Sequence, residues 1–300
     1  MATQELIYDL PQIAIQDSVL RYSREVPLLK DIVAFAVHFR NDLKDEDAAL
    51  GIYNAGALKG LQINVYADSE KINYFGEFIR LIQARFYKFF PQVTETAGDG
   101  GGDDGDWYMI VPVNIPADKF NNVRFELDLS QMEGLDDNVD NIVSGTIDVA
   151  VVYGDAVKGT FLTLETSYHT IAASGRVDVK PPLDVELIDI YVVNDAKKGH
   201  EDDLTTFVFK AGTERLYDTT KGIMKIMSAV DTYMQNFYYT ETLTDETLTI
   251  DYGGFMERHD EVICTLNPTL ITDGTMALTI GNDATGEEGF WVGWLIRKTV

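Results

Sequence analysis

The chain has 300 residues, 45% of them hydrophobic, with 49 acidic against 24 basic side chains and a formal net charge of -25. That length and apolar content can bury a large core and exclude a disordered chain, and the acidic excess repels a phosphate backbone, so direct nucleic-acid binding is not expected. A single cysteine, Cys264, excludes a disulfide framework and a thiolate metal cluster, and its strand-like setting EVICTLN reads as a packed core thiol.

The start, MATQELIYDLPQIAIQ, lacks the positive charge and continuous apolar core of a secretory signal, and its first basic residue is Arg21. No apolar run reaches the roughly 18 residues of a membrane-spanning helix, so a soluble, unprocessed chain is expected. Residues 1–16, with Leu6, Ile7, Leu10, Ile13 and Ile15, read as an N-terminal arm that docks against something.

Next comes DIVAFAVHFRN (31–41), a β-branched and aromatic run of strand length, then the charged connection DLKDEDAA and the alternating segment LQINVYAD (61–68). In INYFGEFIRLIQARFYKFFP the period changes: Phe75, Ile79, Ile82, Phe86 and Phe89 fall at helical spacing, and Pro91 ends the run. An amphipathic helix packed on its own sheet is the simplest reading of that stripe.

GDGGGDDGDW (98–107) follows, with no cation. It leads into the strand WYMIVPVNI, whereas a phosphate cradle would open a helix. Asp99, Asp103, Asp104 and Asp106 are hard oxygen donors suited to calcium, but their spacing matches neither a helix-loop-helix site nor a nonapeptide array. A solvated loop is the preferred reading, and calcium at these four residues the alternative. The acidic runs LKDEDAA and EGLDDNVDN also read as solvated loops.

Strands VRFELDL, GTIDVAVVYG and FLTLETSYH then close a first half, and TIAASGRVDVKPPLD interrupts the pattern with small residues and Pro181-Pro182. The order repeats in the second half. VELIDIYVVND (185–195) answers DIVAFAVHFRN, AKKGHEDD answers the charged connection, and TTFVFKAG (205–212) answers LQINVYAD. DTTKGIMKIMSAVDTYMQN then carries Ile223, Ile226, Met227, Val230, Tyr233 and Met234 at helical spacing, with Asp218 to Thr220 as caps. FYYTETL, TLTIDYG, EVICTLN, GTMALTIG and FWVGWLIR return to strands. Gly145-Thr146 precedes Phe161, and Gly274-Thr275 precedes Phe290, by the same sixteen positions.

These features predict an all-β chain with minor helix: two tandem jelly-roll β-sandwiches, each with one inserted amphipathic helix. The expected boundaries are an arm at 1–16, a first lobe at 17–170, a linker at 171–182 and a second lobe at 183–300.

With two successive jelly rolls, a helix after LQINVYAD and after TTFVFKAG, and closing strands FLTLETSYH and FWVGWLIRK, the chain resembles the double jelly-roll major capsid proteins of tailless icosahedral viruses. Within them it is most similar to those of membrane-containing bacteriophages, the corticovirus-like group. The resemblance implies a coat protein, not an enzyme, that forms a homotrimer. Six similar lobes around one axis give that trimer a pseudo-hexagonal outline that tiles an icosahedral shell. It also implies other capsid proteins, such as a vertex protein, as partners, a lipid membrane beneath the shell, assembly in the host cytoplasm and residence in the virion. No cofactor is required. Tiles this acidic repel one another, so assembly should depend on salt or divalent ions.

Two other readings remain: a carbohydrate-binding β-sandwich and a glycoside-active enzyme. No nucleophile elbow, metalloprotease or nucleotide-binding motif occurs, and His38, His169, His200 and His259 are scattered. The triplet HDE at 259–261 is too short to mark a site, and no carboxylate pair stands out for glycoside chemistry. Trp107, Tyr108, Trp291 and Trp294 are candidates for a sugar platform, but Trp291 and Trp294 lie three apart, hence on opposite faces of a strand.

Overall fold

In the computed structural model, the described residues are 6–16, 19–43, 61–87, 93–96, 104–130, 142–171, 174–194, 204–224, 261–272, 274–282 and 288–300. The chain divides into two compact units, residues 1–164 with 298–300, and residues 165–297.

The first unit is built on β1 (Leu6–Asp9), β2 (Ile13–Ala14), β3 (Arg21–Val26), β4 (Ile32–Leu43), β5 (Gln62–Ala67) and β6 (Glu70–Phe75). After them come α1 (Gly76–Tyr87), β7 (Val93–Thr96), β8 (Asp104–Ile115), β9 (Val123–Asp128) and β10 (Ile142–Tyr153). One sheet has the order β1-β10-β4-β8-β7, with β2 also on β10, and the other the order β3-β9-β5-β6. Among the described residues these ladders are antiparallel.

If β1 and β2 count as one strand and the extra edge strand β7 is set aside, the orders are 1-8-3-6 and 2-7-4-5. That is the jelly-roll arrangement, in which the chain passes back and forth between two facing sheets, with only strands four and five joined as a hairpin within one sheet. Alternation in the sequence becomes two-faced burial. Val65 pairs with Phe125 and Ile63 with Leu127, all four fully buried, and the Phe35 ring lies 5.3 Å from that of Phe125. The other face of β5, β6 and β9 is polar: Asn73 donates to Asn64 Oδ1 (2.7 Å), Asn64 to Glu126 Oε1 (3.1 Å), and the Arg124 guanidinium lies over the Tyr66 ring.

β11 (Thr160–Ile171), β12 (Gly175–Val179), β13 (Val185–Asn194), β14 (Leu204–Ala211), β15 (Glu214–Thr220), β16 (Glu261–Ile271), β17 (Met276–Asn282) and β18 (Glu288–Thr299) complete the chain. Their sheets, β11-β18-β13-β16 and β12-β17-β14-β15, again give 1-8-3-6 and 2-7-4-5. The second roll's core joins Leu187, Ile190, Phe207, Phe209, Leu278, Phe290 and Trp294. A register shift between Leu187 and Asp189 in both ladders of β13 lets Leu187 and Ile190 share the core face, three positions apart.

Several expectations are corrected. Residues 6–16 are no arm: β1 and β2 are the opening strands of the first roll, and Leu10, Ile13 and Ile15 are buried. FLTLETSYH opens the second roll instead of closing the first, because β11 is hydrogen-bonded to β18. The second roll therefore begins near residue 160 and not 183, the expected linker contains β12, and the connection between rolls is residues 154–159. The sixteen-residue match fails with it, since Phe161 lies in an opening strand and Phe290 in a closing one.

The first helix is present, with Phe78, Ile79, Leu81 and Ile82 buried; Phe75 belongs to β6 and Phe86 is exposed. In the second half residues 221–224 are helical, with Met224 buried and Ile223 half exposed, and Asp218–Thr220 are the last residues of β15. The remainder of that expected helix, and strands FYYTETL and TLTIDYG, lie outside the described residues.

Candidate functional site

Part of the Gly/Asp stretch is strand. Asp104 and Asp106 lie in β8, where they pair with Asp42 and Arg40 of β4 and with Thr96 and Thr94 of β7; Asp99 and Asp103 lie outside the described residues. Among the described residues, no group of three or more His, Cys, Asp or Glu side chains forms a metal site. Nor does any described helix have the length and apolar character to cross a membrane. LKDEDAA beyond Leu43, EGLDDNVDN, His200 and His259 lie outside the described residues.

The remaining sequence candidates occupy ordinary structural places. His169 shares a hydrogen bond with Ser167 Oγ (2.8 Å) and stacks on Phe290, and burial lowers its pKa, so it is neutral at pH 7. His38 Nδ1 is 3.9 Å from Asp148 Oδ2, which leaves room for attraction when the ring is protonated. Both residues line a groove of about 560 Å³, where small side chains at Ala36 and Ala150 leave space beside Ile110. Asp9 lines the same groove. Trp294 is in the core and Trp291 packs on Tyr168 from the opposite face of β18, as the spacing predicts. Trp107 and Tyr108 lie in β8, opposite Phe39 and His38 of β4. Cys264 lies in β16 opposite Ile190.

Sequence reasoning missed the polar joints at one end of the first roll. Asp31, almost fully buried, accepts hydrogen bonds from Lys158 Nζ (2.7 and 2.9 Å) and from the backbone N–H of Ala117 (2.8 Å) and Ala156 (3.3 Å). Burial pushes its carboxyl pKa up, but these donors and the lysine charge outweigh that and hold it below the usual carboxylate value. Beside it, Asn114 donates to Val157 O and Thr160 O and accepts from Val157 N–H. Two buried side chains thus pin residues 154–160, the connection out of the first roll.

The two edges of the larger sheet are treated differently. Along β8, once β7 has ended, Gln83 Oε1 of α1 accepts from Ile110 N–H (2.8 Å) and Tyr74 Oη donates to Pro112 O (2.7 Å), so side chains cover that edge. Along β1, Leu6, Ile7 and Tyr8 are 41%, 64% and 41% exposed. Nothing in the sequence separates these edges, because the difference arises from which elements the fold brings alongside.

No protein-family model matches the chain, and no curated protein matches its sequence. Solved structures do. The STIV major capsid protein aligns over 99% of this chain and 97% of its own at a TM-score of 0.72 and 8% identity. The major capsid protein P2 from bacteriophage PM2 aligns over 99% and 98% at 0.55 and 10% identity. VP54 of PBCV-1 aligns over 99% and 94% at 0.59 and 8% identity. At these identities the likeness is one of fold, and it runs end to end through both rolls: the chain has the double jelly-roll fold of these viral capsid proteins.

Proposed function

We propose that this chain is a viral major capsid protein, which works by assembling with copies of itself into the shell of a virion. The observation that carries the reading is the likeness over 99% of the chain to capsid proteins of PM2, STIV and PBCV-1, together with the same 1-8-3-6 and 2-7-4-5 strand order in both rolls. A fold alone does not assign a function. Here the burial of Trp294 in the core takes it out of the candidate sugar platform, which favours assembly over the carbohydrate-binding reading.

In this proposal three copies form a tile with six similar lobes, and tiles pave the shell. A vertex protein and an underlying lipid layer are its further partners, and the chain is not an enzyme. With a net charge of -25 per copy, the tiles meet only when salt or divalent ions screen their repulsion. The test is electron microscopy of the purified protein dialysed into rising salt and calcium. Flat arrays or closed shells with three-fold tiles support the proposal, and dispersed single chains under every condition overturn it.

A further inference from the structure

We propose that the open edge of β1, with the neighbouring turn at Leu29, is a surface through which one copy of this chain docks on another. The inference rests on the capsid reading and adds to it the place where copies meet.

The hydrogen-bonding phase of β1 can be read from its neighbour. Leu10 N–H donates to Val149 O (2.8 Å), and in an antiparallel ladder every second residue faces the same partner, so Tyr8 and Leu6 also address β10. The backbone groups of Ile7 and Asp9 therefore point away from β10, toward the side on which no described strand pairs with β1. Leu6 and Tyr8 stand opposite Tyr153 and Val151, both buried, yet remain 41% exposed because the rim of the sandwich is uncovered there. Tyr153 Oη donates to Pro27 O, which brings the turn carrying Leu29, 57% exposed, next to that strand end.

Edge strands are commonly shielded by charge, proline or a covering element. The β8 edge of the same sheet is shielded, by Gln83 and Tyr74. Leu6, Ile7 and Tyr8 carry no charge, and strand addition needs just such an edge. A second copy is the occupant that the capsid reading supplies. Two chains of net charge -25 repel over most of their surfaces, whereas in β1 the only acidic residue is Asp9, at its end, and Lys30 follows the exposed Leu29. The patch is small beside the roughly 800 Å² that each partner buries in a stable interface. It is one part of a larger contact, and a single change should weaken association by about tenfold instead of abolishing it.

The experiment compares full-length wild type, Ile7→Pro, Ile7→Lys and Leu270→Lys by light scattering after size exclusion over a concentration series, with a thermal melt of each. Ile7→Pro removes an N–H that the β10 ladder does not use. Ile7→Lys makes the chain less acidic, so weaker association cannot come from added repulsion. Leu270, 65% exposed on β16, is the control. The expected result is association about tenfold weaker in both Ile7 variants, with the melt and the Leu270→Lys control unchanged. If Ile7→Pro fails to fold, Ile7→Lys decides. Wild-type association in both Ile7 variants, or an equal loss in the control, overturns the docking edge and leaves the capsid reading standing. A wild type that never associates overturns both.

Discussion

Asp68 and Gly212 hold the same position in the two rolls. Each is the first residue of a two-residue turn between strands four and five, each has positive φ (48° and 61°), and each donates its N–H to the residue before strand seven: Asn122 O at 3.0 Å and Thr275 O at 3.1 Å. Aspartate is among the few residues that tolerate this backbone, and glycine adopts it freely.

A side chain at Gly212 would therefore meet backbone strain rather than crowding, since Thr275 Oγ1 is 4.0 Å from where a Cβ would sit. Gly212→Val should cost about 1–3 kcal/mol, and Gly212→Asp, which copies the first roll, should cost less. Urea denaturation of both variants checks the order.

The joint at Asp31 makes an asymmetric prediction. Asp31→Ala leaves the N–H groups of Ala117 and Ala156 without their acceptor and should cost about 2–4 kcal/mol at pH 7. Lys158→Met should cost far less, because the lysine is 62% exposed and the backbone donors remain. The Asp31 pKa is depressed in the fold, so the carboxylate's contribution is complete above the ordinary value of about 3.9. It is lost as the pH falls through the lower folded value. The gap in melting temperature between wild type and Asp31→Asn should therefore stay constant from pH 7 to about pH 5 and close only below about pH 4.

Covering the β8 edge has a measurable worth. Tyr74→Phe removes the hydroxyl that meets Pro112 O and should cost about 1 kcal/mol. Gln83→Leu orphans Ile110 N–H, but it also removes a buried Nε2 that has no partner, so its cost should be about 1–2 kcal/mol. Hydrogen exchange at Ile110 should quicken in the Gln83 variant and not in Tyr74→Phe.

The equivalence of Asp68 and Gly212 also shows what the sequence made legible. LQINVYAD and TTFVFKAG could be matched because alternation and a turn are local signals, and both halves carry them in the same order. The boundary was not legible. FLTLETSYH alternates like any half-buried strand, and its place in the second roll is decided by hydrogen bonds to β18, more than a hundred residues later. Leu10, Ile13 and Ile15 are apolar enough to need a partner, but nothing local says that it is β10 of the same roll. Asp31, Asn114 and Gln83 left no trace at all, because a buried polar side chain looks like any surface residue until the fold brings its partners from distant positions. The carboxylates of the Gly/Asp stretch drew attention by composition alone, and two of the four turned out to be strand residues.

The capsid reading is tested most directly by the molar mass of the full-length protein, measured by light scattering after size exclusion across salt and calcium concentrations. The account predicts a mass of three chains that grows to larger assemblies as screening increases. A single-chain mass that does not change with salt or calcium would contradict it.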